Sequence, residues 1–136
     1  MYFEWKDEYE LGVEEIDSQH KKLMGIGRKL MTLIRTTDIM EKSEEIREIL
    51  NELRNYTIEH FFREEQFMAE NRYPDLTSHA MEHNYLRRKL RQIDNLEIIN
   101  QETIIKLVSF VSDWISQHIL VTDMKMRNYI LFVKER

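Results

Sequence analysis

The chain has 136 residues, 42% apolar and 33% charged, with a formal net charge of −5, which suits one compact domain over 1–136 and offers nucleic acid no basic footprint. Cysteine is absent, so disulfides, thiolate-bound zinc and iron–sulfur clusters are excluded, and a reducing cytoplasm is the default compartment. Three glycines and one proline favour long helices over many short strands, no apolar run approaches the roughly 18–20 residues of a membrane span, and the acidic start Met1-Tyr-Phe-Glu-Trp-Lys-Asp-Glu is not a signal peptide.

Residues 1–15 read as an N-terminal arm held to the body by the rings of Tyr2, Phe3, Trp5 and Tyr9, with Gly12 interrupting any regular pattern. Asp17 or Ser18 is placed to cap a first helix. Its apolar stripe is Ile16, Leu23, Leu30 and Ile34, with Gly27 between them and His20 on the same face, and Thr36-Thr37-Asp38 ends it. A second helix opens near Ser43, where Glu44 and Glu45 suit the helix dipole. Its stripe runs from Ile46 through Leu50, Leu53, Thr57, His60, Phe61 and Glu64 to Met68, and Asn71-Arg72-Tyr73-Pro74 stops it. The third helix aligns Leu76, His79, His83, Leu86, Leu90 and Ile93 and closes at Asp94-Asn95. The fourth starts near Gln101 and aligns Ile104, Leu107, Val111, Trp114, His118 and Val121. A tail from Met124 to Arg136 follows, with Tyr129, Ile130, Phe132 and Val133 able to cap one end of the core. The predicted fold is all-α: an up-down-up-down antiparallel four-helix bundle with an N-terminal arm and a short C-terminal helical tail.

All five histidines fall on these apolar stripes. A stripe takes about three positions in ten, so random placement would put all five there only a few times in a thousand. One histidine on an apolar face is more often a satisfied core residue than a ligand; the set points to a shared cation. His60 and Glu64 are four apart, as are His79 and His83, so each pair faces one way on its helix. Antiparallel helices would bring the pairs together. Burying so many polar groups without partners would cost several kcal/mol for each charged group. Glu65 lies about 100° round the helix from Glu64, so it reads as a solvated or supporting carboxylate. Asp123 is harder to place. It follows His118 by five residues, about 140° round an ideal helix, and reaches the site only if the helix loosens or the carboxylate spans two metals from the side. So many donors exceed one tetrahedral zinc, and this much histidine is foreign to calcium or magnesium. Two six-coordinate metals bridged by carboxylates fit the count, with iron suited and copper or manganese as rivals.

His20, His60 with Glu64, His79 with His83, and His118 with Asp123 together resemble the ligand pattern of the hemerythrin family, the five-residue step to Asp123 included. Trp5, Leu11-Gly12-Val13, Ile16-Asp17-Ser18-Gln19-His20-Lys21 and Tyr73-Pro74-Asp75 before His79 are similar too, so the likeness to stand-alone, single-domain bacterial members covers nearly the whole chain. The resemblance implies a bundle holding two non-haem iron ions. His79, His83 and His118 would bind one iron and His20 and His60 the other. Glu64 and Asp123 would bridge both, together with an oxo or hydroxo group, and O2 would bind at the two-histidine iron. Leu23, Phe61, Trp114 and Ile119 match the family's apolar O2 pocket, although each also reads as ordinary core.

The leading expectation is therefore reversible O2 binding for storage, delivery or sensing, not catalysis. A histidine-rich site among apolar side chains offers few proton donors to bound O2. The alternatives are a di-iron enzyme acting on peroxide or nitric oxide, and an iron or redox sensor working through a partner protein.

Overall fold

The computed structural model describes residues 2–95 and 100–133, with only the backbone of 94 and 95. The four α-helices of the sequence reading are present: α1 (Glu14–Thr36), α2 (Ser43–Glu70), α3 (Leu76–Leu90) and α4 (Gln101–Gln117). A π-helical turn, His118–Asp123, continues α4 into the short α5 (Met124–Asn128) and a further π-helical turn, Tyr129–Val133. No strand occurs among the described residues. Helix α1 packs on α2 and α4, and α2 packs on α3. The predicted connection over 96–99 and the last part of the tail, 134–136, lie outside the described residues.

The helix ends show how local chemistry fixes these lengths. Helix α1 begins earlier than Asp17 or Ser18: Glu14 is its first residue and Val13 precedes it without a side-chain cap. Asp17 is nearly buried and its carboxylate instead accepts hydrogen bonds from the backbone of Leu11 and Gly12, at 2.9 and 3.0 Å. It therefore ties the preceding chain to the helix, and Gly12 supplies the left-handed backbone, φ 81°, that this reversal needs. Helix α2 stops in a Schellman arrangement. The Tyr73 N–H reaches the Met68 carbonyl and the Arg72 N–H reaches that of Ala69. Arg72 takes the left-handed position, φ 54°, where glycine is usual. Pro74 follows, so the chain cannot resume the helix at once. Asn100 caps α4 by accepting from the Thr103 N–H at 2.9 Å.

Residues before α1 lie against α1 and α4. Phe3 is buried over Gly27, where any Cβ would collide with its ring. The Phe3 N–H donates to Ser112 Oγ at 3.0 Å, and the Arg28 guanidinium donates to the Phe3 carbonyl. The tail seats Ile130 in the core, but Phe132 and Val133 stay more than half exposed.

Helix α4 corrects one part of the sequence reading. Its buried face is Ile104, Val108, Val111 and Ile115 leading to His118 and Ile119, whereas Leu107 is half-buried and Val121 is 63% exposed. The π turn resets the register after His118, so Val121 leaves the core.

The apolar core falls into two clusters. One contains Leu23, Leu53, Phe61, Leu86, Ile115 and Ile119. The other contains Leu11, Ile16, Met68, Tyr73, Met126 and Ile130. Between them along the long helices lie the buried histidines with Glu64 and Asp123. The order is small cluster, His20, large cluster on α1, and the reverse through His60 and Glu64 on α2. It reverses again through His79 and His83 on α3, and again through His118 and Asp123 beyond α4.

The helix Gln101–Val133 runs 33 residues and is, by length and composition, long and apolar enough to cross a membrane. This departs from the sequence expectation, because the π turn lets α4 and the tail run on as one helix. Its Ile104, Val108, Val111, Ile115 and Ile119 pack in the protein core, and it carries buried His118 and Asp123.

Candidate metal centre

Seven polar side chains converge in the layer between the two clusters. His20 comes from α1, His60 and Glu64 from α2, His79 and His83 from α3, and His118 and Asp123 from the π turn. All are at most 5% exposed.

The two carboxylates divide the histidines into two groups. Glu64 Oε1 lies 2.8 Å from His79 Nε2, 3.2 Å from His83 Nε2 and 3.8 Å from His118 Nε2. Its other oxygen, Oε2, faces His60 Nε2 at 3.4 Å and His20 Nε2 at 3.8 Å. Asp123 repeats the division: Oδ1 is 3.0 Å from His79 and 3.1 Å from His118, while Oδ2 is 3.3 Å from His20. Two potential donor sets result, Glu64, His79, His83, His118 and Asp123 in one, and His20, His60 and Glu64 in the other.

The π turn answers the difficulty with Asp123. Its i→i+5 bonding widens the helix, so residues five apart come to nearly the same face. His118 opens this segment and Asp123 closes it. The ideal-helix angle of the sequence reading therefore does not apply here.

These groups fit a pair of cations. Glu64 Oε2 and both Asp123 oxygens are buried and receive no hydrogen bond from the described residues. The His118 Nε2 atom lies 3.1 Å from His79 Nε2 and 3.0 Å from His83 Nε2. Three lone-pair atoms so close, facing unbonded carboxylate oxygens, are each satisfied by positive charge between them.

Without metal, protons must serve. Burial opposes charge on His20, but the Asp123 and Glu64 carboxylates outweigh it and lift its pKa from 6.5 to about 9. His79 is likewise raised to about 9, against burial, by the same two carboxylates. His118 is raised well above the usual histidine value, again against burial, chiefly by Asp123. His60 goes the other way because burial dominates. For Glu64, burial opposes the charge, but the surrounding His118, His20, His60 and His79 imidazoles prevail and hold the carboxyl well below the usual range. Asp123 is lowered too; burial and Glu64 oppose its charge, and His118 and His20 prevail.

The outer ring nitrogens are held unequally. His83 Nδ1 donates to Glu65 at 2.6 Å, and Arg87 braces that carboxylate at 2.9 Å. His118 Nδ1 donates to Glu82 at 3.1 Å, and His60 Nδ1 to the Gln19 side-chain carbonyl at 2.7 Å. His20 and His79 Nδ1 have no such partner among the described residues. A donated Nδ1–H leaves Nε2 free as a lone-pair ligand. Glu82, Gln19 and Arg87 received no role from the sequence. Their only signal was position: Gln19 adjoins His20, Glu82 adjoins His83, and Arg87 lies one turn beyond it.

The apolar residues singled out earlier surround the same layer. Phe61 stacks on His83 with centroids 4.0 Å apart, and Trp114 stacks on His118 at 4.6 Å. The two rings meet edge to face at 5.7 Å. Leu23 and Ile119 are fully buried in the large cluster, while Trp114 is only half-buried. Trp114 lines a surface groove of about 320 Å³ with Glu82, Gln117, His118, Val121 and Thr122.

Residues 11–130 match the family model of the hemerythrin HHE cation binding domain. The chain belongs to the hemerythrin family. It is 37% identical over 130 residues to a bacteriohemerythrin of Clostridium acetobutylicum, covering 94% of this chain and 98% of that one. It is 28% identical to a hemerythrin-like protein of Naegleria gruberi, over 94% and 93% of the two chains. A bacteriohemerythrin of Stenotrophomonas maltophilia is 23% identical over 88% of this chain and 75% of its own. The hemerythrin match spans all seven converging side chains.

Proposed function

We propose that this hemerythrin binds O2 reversibly at a non-haem di-iron centre, for storage, delivery or sensing. The observation that carries the reading is the division of each buried carboxylate between two histidine groups, the arrangement two bridged cations require. In this reading His79, His83 and His118 would hold one iron and His20 and His60 the other, with Glu64 and Asp123 shared by both. Ferrous iron bound there would supply the reducing electrons for O2. Gln19, Glu65 and Glu82 orient their histidines by accepting the Nδ1 protons. Leu23, Phe61, Trp114 and Ile119 form an apolar wall that keeps water and protons from the bound gas.

The protein carrying this site is read as one domain over 1–136, working in the cytoplasm without a membrane span or nucleic acid. The reversal of cluster order from helix to helix supports an up-down-up-down path, with the residues before Glu14 as its arm and those after Asp123 as its tail. Protein loaded with ferrous iron under argon should gain visible absorption on exposure to O2 and lose it when O2 is removed, over repeated cycles. Irreversible bleaching in the first cycle would contradict reversible binding.

A second reading is an enzyme acting on peroxide or nitric oxide, favoured by the solvent-reaching groove beside Trp114 and His118. Stopped-flow mixing with each reagent separates the two: turnover faster than reaction with O2 supports the enzyme.

A further inference from the structure

The half-exposed side chain of Glu82 accepts two hydrogen bonds through the same oxygen, and both donors belong to the π turn. His118 Nδ1 lies 3.1 Å from Glu82 Oε1, and Thr122 Oγ1 lies 2.7 Å from it. His118 opens the turn, and Thr122 immediately precedes Asp123, which closes it. Glu82 stands on α3 between His79 and His83. One carboxylate on the third helix thus grips the fourth at both ends of its widened segment.

That segment is the least self-supporting part of the site. An i→i+5 turn is rare, and the sequence of the segment, His-Ile-Leu-Val-Thr-Asp, holds no glycine or proline that would impose it. Relaxation to α-helical bonding would swing Asp123 about 140° from the direction of His118. The exposed hydroxyl of Thr122 has no need of a buried partner, so its short bond to Glu82 serves geometry more than satisfaction.

We propose that Glu82 is a positioning residue that clamps the π turn, setting His118 directly and Asp123 through Thr122. It does not touch the metal position: among the converging side chains its oxygen reaches His118, and there at the outer nitrogen. The idea rests on the metal-site reading above, and binding of any divalent ion by the wild-type protein tests that reading separately.

The experiment measures ferrous iron affinity under argon by competition with a chelator, in the full chain. Glu82→Ala should weaken binding about 10- to 100-fold, the usual effect of losing a partner of a ligating histidine. Glu82→Gln keeps an acceptor oxygen in place and should recover most of that loss. Thr122→Val should weaken binding several-fold alone but cause no further change in the Glu82→Ala background, because both act through one contact. Melting curves of the metal-free variants confirm folding, and Thr122→Val stands as the test if Glu82→Ala is poorly folded. Wild-type affinity in Glu82→Ala overturns the clamp. So does a Thr122→Val effect of equal size in both backgrounds, or a Glu82→Gln loss as large as that of Glu82→Ala. A wild-type protein that binds no divalent metal refutes the metal-site reading instead.

Discussion

Glu64 and Glu65 are neighbours in sequence with different surroundings. Glu64 is fully buried among the imidazoles, and Glu65 reaches round to the outer nitrogen of His83. Glu64→Ala should therefore abolish the pair, leaving one iron per chain or none, by elemental analysis. Glu65→Ala should retain two irons with affinity lower by about 10- to 100-fold. Equal iron loss in both would mean the faces are misassigned. Protonation gives a second residue-scale prediction. His20 and His79 keep protons up to about pH 9 when no metal is present, so loading at pH 7 must expel them. Calorimetry in buffers of different ionisation enthalpy should show net proton release; none would contradict the charge balance described. The same shifts set metal-free stability. Histidines raised from 6.5 to about 9 stabilise the fold fully below pH 6.5, and this is lost as pH rises through 9. Glu64 and Asp123, lowered from 4.5 and 3.8, contribute above those values and lose it as pH falls through their depressed pKa values. His60, kept neutral by burial, lowers stability somewhat below pH 6.5. The metal-free protein should thus melt highest near pH 5–6.5 and lower near pH 9; a melting temperature rising over that interval would refute the sign.

At the scale of elements, periodicity made the helices legible because apolar positions recur every three or four residues on α1, α2 and α3. The His60–Glu64 and His79–His83 pairs were legible for the same reason. Asp123 was not placed by spacing, since the angle of an ideal helix is the wrong ruler for an i→i+5 turn, and nothing in His118–Asp123 announces one. Resemblance supplied what spacing could not. The start of α1 was misjudged because Asp17 looks like a cap, while its partners, Leu11 and Gly12, lie before the helix. Glu82 and Gln19 were missed because a polar residue on a half-exposed face gives no periodic signal. The end of α2 yields a prediction of its own. Arg72 occupies the left-handed position of a Schellman turn, a conformation that costs a side-chain-bearing residue about 1 kcal/mol or more. Arg72→Gly should raise stability by about 0.5–1 kcal/mol without altering iron content. A loss of stability in denaturant titration would show that the Arg72 side chain matters more than its backbone.

At the scale of the whole molecule, a polar layer divides the apolar core into two clusters, and each long helix contributes to that layer as it passes between them. The protein thus places its chemistry where four helices constrain it, with aromatic rings stacked on His83 and His118. Trp114 is the wall residue nearest solvent. Trp114→Ala should keep two irons yet convert the O2-bound protein to the oxidised form several-fold faster, because water gains access. Its stability cost should fall below the about 3–5 kcal/mol of a fully buried tryptophan, since the ring is half-exposed. An unchanged oxidation rate at full iron content would place access control elsewhere. The claim beneath all of this is a metal pair shared by unequal histidine groups. It is tested most directly by iron analysis with Mössbauer and electron paramagnetic resonance spectra of the oxidised, iron-loaded protein. The account predicts two irons per chain, in two inequivalent environments, magnetically coupled through the shared bridge. One iron per chain, or the signal of an isolated ferric ion, would contradict it.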